Sequence, residues 1–171
     1  LNQWVSSFDG WVTDSDWMLS AGDVDMSELA GEPCFGGLDL AATSDVCSFV
    51  LVFPRPDGSV KVLPWMFVSQ AAVDQRRGRT GASYDAFSAA GELIVTDGNS
   101  TDYDVIFTQM SKCADMFDIR SVAFDRWNSS ALVQRLMDAG FDMDPFGQGF
   151  ASMSQPIKQM EILIKQKKLN H

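Results

Sequence analysis

Two aspartates stand where a folded chain seldom puts an unpartnered charge. Asp39 lies inside CFGGLDLAA (34–42), a run that reads as a strand buried on both faces. Asp125 ends the apolar run SVAF (121–124), immediately before a helix start. Strand alternation places Phe35, Gly37, Asp39 and Ala41 on one face and Leu38 and Leu40 on the other. Breaking a buried ion pair costs about 3–5 kcal/mol, so a carboxylate at position 39 must sit at an edge or crevice, be paired, or hold a metal. The small Gly36, Gly37, Ala41 and Ala42 leave room above the strand for something to approach. In open α/β sheets ligands collect at the carboxyl ends of strands, and helix N-termini favour phosphate. Two strand-borne aspartates brought side by side make an oxygen site suited to Mg²⁺ or Mn²⁺. Asp45, six residues beyond Asp39, is accounted for by a capped turn, and Asp102 in STDY by a helix N-terminus. Asp97 reads as an ordinary turn residue.

Other chemistries are poorly supplied. The single histidine is His171, which argues against His-based triads, HNH-type nucleases and His-rich zinc sites. Cys34, Cys47 and Cys113 have no CxxC spacing and read as small buried hydrophobes in a reducing compartment. No GxxxxGK[ST] motif is present, so ATP hydrolysis is not expected. The net charge of −10 has the wrong sign for gripping nucleic acid by electrostatics alone. A local basic patch, metal ions or another domain would have to supply the attraction. The run RRGR, with Arg76, Arg77 and Arg79, reads either as a solvated loop or as a phosphate-contacting arm, and Arg126 stands beside Asp125. Lys165, Lys167 and Lys168 fall in the last turns of a helix, where the dipole alone favours them.

The elements that must position these groups follow from periodicity. The 171 residues, 46% of them apolar, suit one domain with a full core. No apolar run is long enough for a membrane span, and no signal-peptide pattern opens the chain. It begins with Leu1 rather than Met, as a fragment of a longer protein would. Residues 1–33 carry Trp4, Trp11 and Trp17 without a sustained period, as expected of a linker that packs its aromatics on a neighbouring surface. Strands are predicted at 34–42, 46–53 and 60–68, joined by short turns into an antiparallel meander. Pro64 argues that the third lies at an edge or bulges. One or two short helices around a basic loop follow, then a strand at 92–98. From Thr101 a helix presents Ile106, Met110, Cys113 and Phe117 on one face. After the strand ending at Asp125, Asn128 or Ser129 caps a helix that stops at Gly140. One more strand is allowed in FDMDPFGQG, and a last helix starts near Ser154 with Pro156 in its first turn and Ile157, Met160 and Ile164 along one side. A meander followed by β–α units is an α/β domain with a mixed sheet.

The segments GGLDLAATSD, VTDGNSTDY, VAFDRWNSSALVQRLMDAGF and GQGFASMSQPIKQMEILIKQKKLNH, in this order, resemble the nuclease domain of the large terminase subunit of tailed bacteriophages and prophages. The likeness runs from about Trp4 to His171, and the last block is its most specific part. It implies an RNase H-like fold, similar to retroviral integrases, with helices on both faces of the sheet. Residues 1–33 would join a missing upstream ATPase motor to a nuclease domain at 34–171, cut short at its C-terminus. The resemblance further implies a metal-dependent endonuclease that cleaves concatemeric viral DNA during genome packaging in the host bacterial cytoplasm. Asp39 would bridge two Mg²⁺ or Mn²⁺ ions, Asp125 would bind one, and Asp45 would be an auxiliary ligand. A third acidic ligand is expected beyond His171. Implied partners are double-stranded DNA, the small terminase subunit, the portal protein and the upstream ATPase domain, with no membrane. Two rival readings remain: GLDLAATSD also resembles the phosphate loop of actin-like ATPases and sugar kinases, and an RNase H-like module could dock the motor on its portal without catalysis.

Overall fold

The structure, a computed structural model, describes residues 11–22, 24–41, 45–77, 84–125 and 130–171. In chain order the strands are β1 (Pro33–Asp39), β2 (Cys47–Pro54), β3 (Val60–Ser69), β4 (Leu93–Thr96), β5 (Asp118–Asp125), β6 (Met143–Phe146) and β7 (Leu169–Asn170). The helices are α1 (Asp14–Met18), α2 (Gln70–Arg76), α3 (Tyr84–Ala89), α4 (Tyr103–Met116), α5 (Ser130–Asp138) and α6 (Phe150–Lys165), with a single 3₁₀ turn at Met26–Leu29. All strands join one sheet in the order β4-β3-β2-β1-β5-β6, with β7 also on β3. The meander β1–β2–β3 is antiparallel, whereas β5 joins β1 and β6 joins β5 in parallel. Only β2 runs against the others.

Period-two alternation decides what each face carries. Cys34 and Leu38 of β1, Phe49, Leu51 and Phe53 of β2, and Val122 and Phe124 of β5 point into one core. Helices α4 and α5 cover it, through Ile106, Met110 and Cys113 and through Leu132, Val133 and Leu136. Phe67 belongs to this core, but its neighbour Val68 belongs to a second, built with Leu93 and with Ala72 and Val73 of α2. Successive strand residues face opposite ways, so α2 lies on the other side of the sheet. Helix α6 crosses that side too. It leaves the carboxyl end of β6 and delivers the chain to β7 beside Val60, on the far side of β3 and five strand spacings away. Its 16 residues span about 24 Å, which matches about 24 Å for five strand spacings.

Three boundaries differ from the sequence pattern by three residues or more. The first strand ends at Asp39 rather than 42, and the β5 strand begins three residues earlier than its apolar run. The last helix starts at Phe150, which puts Pro156 inside it rather than in its first turn. Pro156 lacks the N–H that would reach the Ser152 carbonyl, and the apolar stripe described below overrides that local preference. Pro64 does sit in an edge-like position: it pairs with Val50 of β2, while β7 and β4 flank β3 only at 60–61 and 66–69.

The described part of 1–33 lies against the body of the fold. Leu29 is fully buried in the main core. Trp17 stacks on His171 at 4.1 Å, and Gly22 N–H donates to the His171 carbonyl at 3.0 Å. Trp4 lies outside the described residues.

Candidate active site

Parallel pairing of β1 with β5 is what brings the two aspartates together. The register pairs Gly37 with Ala123 and Leu38 with Phe124, and one further step reaches Asp39 and Asp125, the last residues of their strands. Neighbouring strands are about 4.8 Å apart, and registered partners face the same side. Both carboxylates therefore stand at the carboxyl ends of adjacent central strands, on the face opposite the main core. They line one crevice of about 370 Å³, whose walls include Gly37, Ser48, Val50, Phe146, Met153 and Pro156.

This face of β1 is open, not buried on both sides as its composition suggests. Phe35 is 49% exposed and Asp39 is exposed. The two glycines before Asp39 have different reasons to be small. A Cβ on Gly37 would meet nothing within 4 Å, so Gly37 leaves the crevice floor clear. A Cβ on Gly36 would lie 2.8 Å from Val122 Cγ2, so Gly36 is fixed by core packing on the opposite face.

The remaining predicted residues are placed elsewhere. Asp45 does not line the crevice; its Oδ1 accepts from Arg76 Nη2 at 2.5 Å. Arg76 also bonds the Tyr84 hydroxyl, and Asp45 together with Tyr84 pushes its pKa up. Arg77 is paired with Asp74 and Asp85. The two described arginines of RRGR thus brace α2 against α3 and the β1–β2 turn. Arg79 and Arg126 lie outside the described residues. Lys165 is the last residue of α6 and pairs with Glu161 at 2.5 Å, while Lys168 donates to the Asp57 carbonyl. Asp102 caps α4, its Oδ1 accepting from Asp104 N–H at 2.8 Å. It lines a separate crevice of about 490 Å³ with Asp97 and Tyr103, which contains neither Asp39 nor Asp125.

Neither a thiol nor the histidine competes for the chemistry. Burial pushes the Cys34 thiol up to about 12 and Cys113 up to about 11, and it raises Cys47 as well. His171 is stacked on Trp17 and does not line the crevice. Among the described residues no three His, Cys, Asp or Glu side chains gather as a metal cluster, so the oxygen donors here are two carboxylates. Sequence reasoning missed Phe146, Gln148, Met153 and Pro156 as walls of the site. The signal was present in GQGFASMSQP, but placing the helix start at Ser154 hid it.

The architecture is shared with known proteins. The whole chain, residues 1–171, matches the family model of the terminase large subunit, endonuclease domain. The chain belongs to that family. It is 29% identical over 173 residues to the terminase large subunit of Enterobacteria phage HK97, covering all of this chain and 34% of that protein. It is 25% identical over 181 residues to the protein YmfN of Escherichia coli strain K12, covering 40% of it. The crystal structure of the HK97 large terminase superimposes with a TM-score of 0.81 at 28% identity, over 94% of this chain and 33% of that one. The chain thus spans between a third and two fifths of the curated relatives it matches. The mixed sheet with helices on both faces is the RNase H-like fold of terminase nuclease domains. Among the described residues no helix is long and apolar enough to cross a membrane.

Proposed function

We propose that this chain is a metal-dependent DNA endonuclease that cuts concatemeric viral DNA during genome packaging. The observation that carries the reading is the convergence of Asp39 and Asp125 on one open crevice at the carboxyl ends of adjacent parallel strands. Two carboxylates on a solvent-accessible shelf are hard oxygen donors, which fits Mg²⁺ or Mn²⁺ and not a soft metal. When bound, such ions activate water and stabilise the leaving oxygen in phosphodiester hydrolysis. Asp39 and Asp125 would hold the ions, Gly37 keeps the floor open for a phosphate, and the buried Leu38 and Phe124 anchor the strand ends that carry both carboxylates. Among the described residues no histidine or lysine lines the crevice, so proton transfer is assigned to water and the carboxylates. Asp45, held by Arg76, is left out of the ligand set.

Family membership supports a place in a packaging motor, with double-stranded DNA, the small terminase subunit, the portal protein and an ATPase domain as its partners. The experiment is incubation of supercoiled plasmid with Mn²⁺ or Mg²⁺, beside Asp39→Asn and Asp125→Asn. Nicking or linearisation that needs the ion and vanishes in both variants, with unchanged circular dichroism, is the expected result. Undiminished nicking by either variant overturns the assignment.

A further inference from the structure

Helix α6 carries an apolar stripe that changes character along its length. Phe150, Met153, Ile157, Met160 and Ile164 recur at alternating spacings of three and four, which places them on one face. Ile164 is fully buried at the C-terminal end, Met160 and Met153 are half-buried, and Ile157 is 40% exposed. The first residue of the stripe, Phe150, is 95% exposed. Met153 and Pro156 form a wall of the crevice that holds Asp39 and Asp125, and so does Gln148, two residues before Phe150. The stripe therefore runs out of the core, along the wall of the carboxylate crevice, and ends in a bare aromatic ring that lies in sequence between two crevice-lining residues, Gln148 and Met153.

We propose that Phe150 is a positioning residue that stacks on, or wedges beside, a base of the DNA strand whose phosphate sits at Asp39 and Asp125. This rests on the nuclease reading above. Six residues of helix separate Phe150 from Pro156 along about 9 Å. Bases rise about 3.4 Å each along a strand, so the ring, about 4.5 Å along the helix from Met153 and about 9 Å from Pro156, is in reach of a base one to three nucleotides from the reacting phosphate. The first turn of α6 holds no acidic residue that would repel a phosphate there. The described arginines Arg55, Arg76, Arg77, Arg120 and Arg135 are each committed to a carboxylate. A wedge of this kind favours steps that unstack readily, such as TA and CA, so it also biases where the strand is cut.

The test uses the whole chain with single-stranded and duplex DNA carrying 5-iodouracil, irradiated in the long ultraviolet, with adducts mapped by mass spectrometry. An adduct on Phe150 is expected. Phe150→Ala should bind the same DNA about 5- to 150-fold more weakly, the range for loss of one base–aromatic stack. Phe150→Trp should retain binding, and Ile162→Ala, on the opposite face of α6, should bind like the wild type. Wild-type binding by Phe150→Ala, or adducts only at other residues, overturns the proposal and assigns the ring to a protein surface. If Phe150 crosslinks while nicking survives Asp39→Asn, the catalytic reading fails and the contact stands. If nicking needs Asp39 but Phe150→Ala binds normally, the contact fails and the nuclease stands.

Discussion

Gly36 and Gly37 are adjacent, yet adding one methyl group to each should produce opposite failures. In Gly36→Ala the new Cβ would lie 2.8 and 3.1 Å from the two methyl carbons of Val122 and 3.3 Å from its Cβ. Carbon atoms in contact ordinarily sit about 3.5–4.0 Å apart. Relief is hard to find: β1 and β5 are paired on both sides of the clash, Val122 is fully buried, and its β-branch is stiff. Overpacking of this kind costs about 1–3 kcal/mol, which for a chain of this size lowers the melting temperature by about 2–12 °C. Val122→Ala removes both offending methyl carbons, so in the double variant the two effects should couple favourably by about 0.5–3 kcal/mol. Gly37→Ala meets no atom within 4 Å and should match or exceed wild-type stability, by up to about 1 kcal/mol through the unfolded chain. Its methyl group rises from the crevice floor beside Asp39, so nicking should fall while the fold holds. Thermal melts and the plasmid assay, run on the wild type, Gly36→Ala, Val122→Ala, their double variant and Gly37→Ala, decide it. A Gly36→Ala protein that melts like the wild type, or gains nothing from Val122→Ala, refutes the packing argument. A Gly37→Ala protein as unstable as Gly36→Ala refutes the assignment of the two faces.

Asp45→Asn removes an exposed ion pair with Arg76 and should cost less than about 1 kcal/mol. It should leave metal-dependent nicking intact, and a loss of nicking comparable to Asp39→Asn would return Asp45 to the ligand set. Lys167 follows α6 in the left-handed region at φ 56°, with its N–H on the Ile164 carbonyl and the Lys168 N–H on that of Leu163. This is a Schellman ending that ordinarily takes glycine, so Lys167→Gly should stabilise the chain by about 1 kcal/mol, read as a higher melting temperature. The buried thiols should be inert to a disulfide reagent at pH 8 until urea unfolds the chain. Because Cys34 and Cys113 are raised from 9.0 to about 12 and about 11, the unfolded chain loses these protons first. Stability should therefore hold below pH 9 and fall between pH 9 and about 12. Replacing both residues with alanine should flatten that fall in urea titrations.

What the sequence determined by itself is local and periodic. Alternation in CFGGLD separated the core-facing Leu38 from Asp39, and the helical spacing of Ile106, Met110 and Cys113 set the buried face of α4. The N-cap role of Asp102 was legible because Asp is among the residues most favoured at that position. The residue types alone singled out Asp39 and Asp125 as the charges that required an explanation. Whether they meet was decided by non-local pairing, since 78 residues separate the end of β1 from the start of β5 and no pattern in either strand encodes its neighbour. Tertiary structure also left the Asp39 face open, drew Arg76 and Arg77 into ion pairs with Asp45 and Asp85, and extended α6 upstream of Pro156. Each outcome depends on which surfaces come into contact. A one-dimensional pattern specifies the face a side chain points to, and only packing specifies what it finds there.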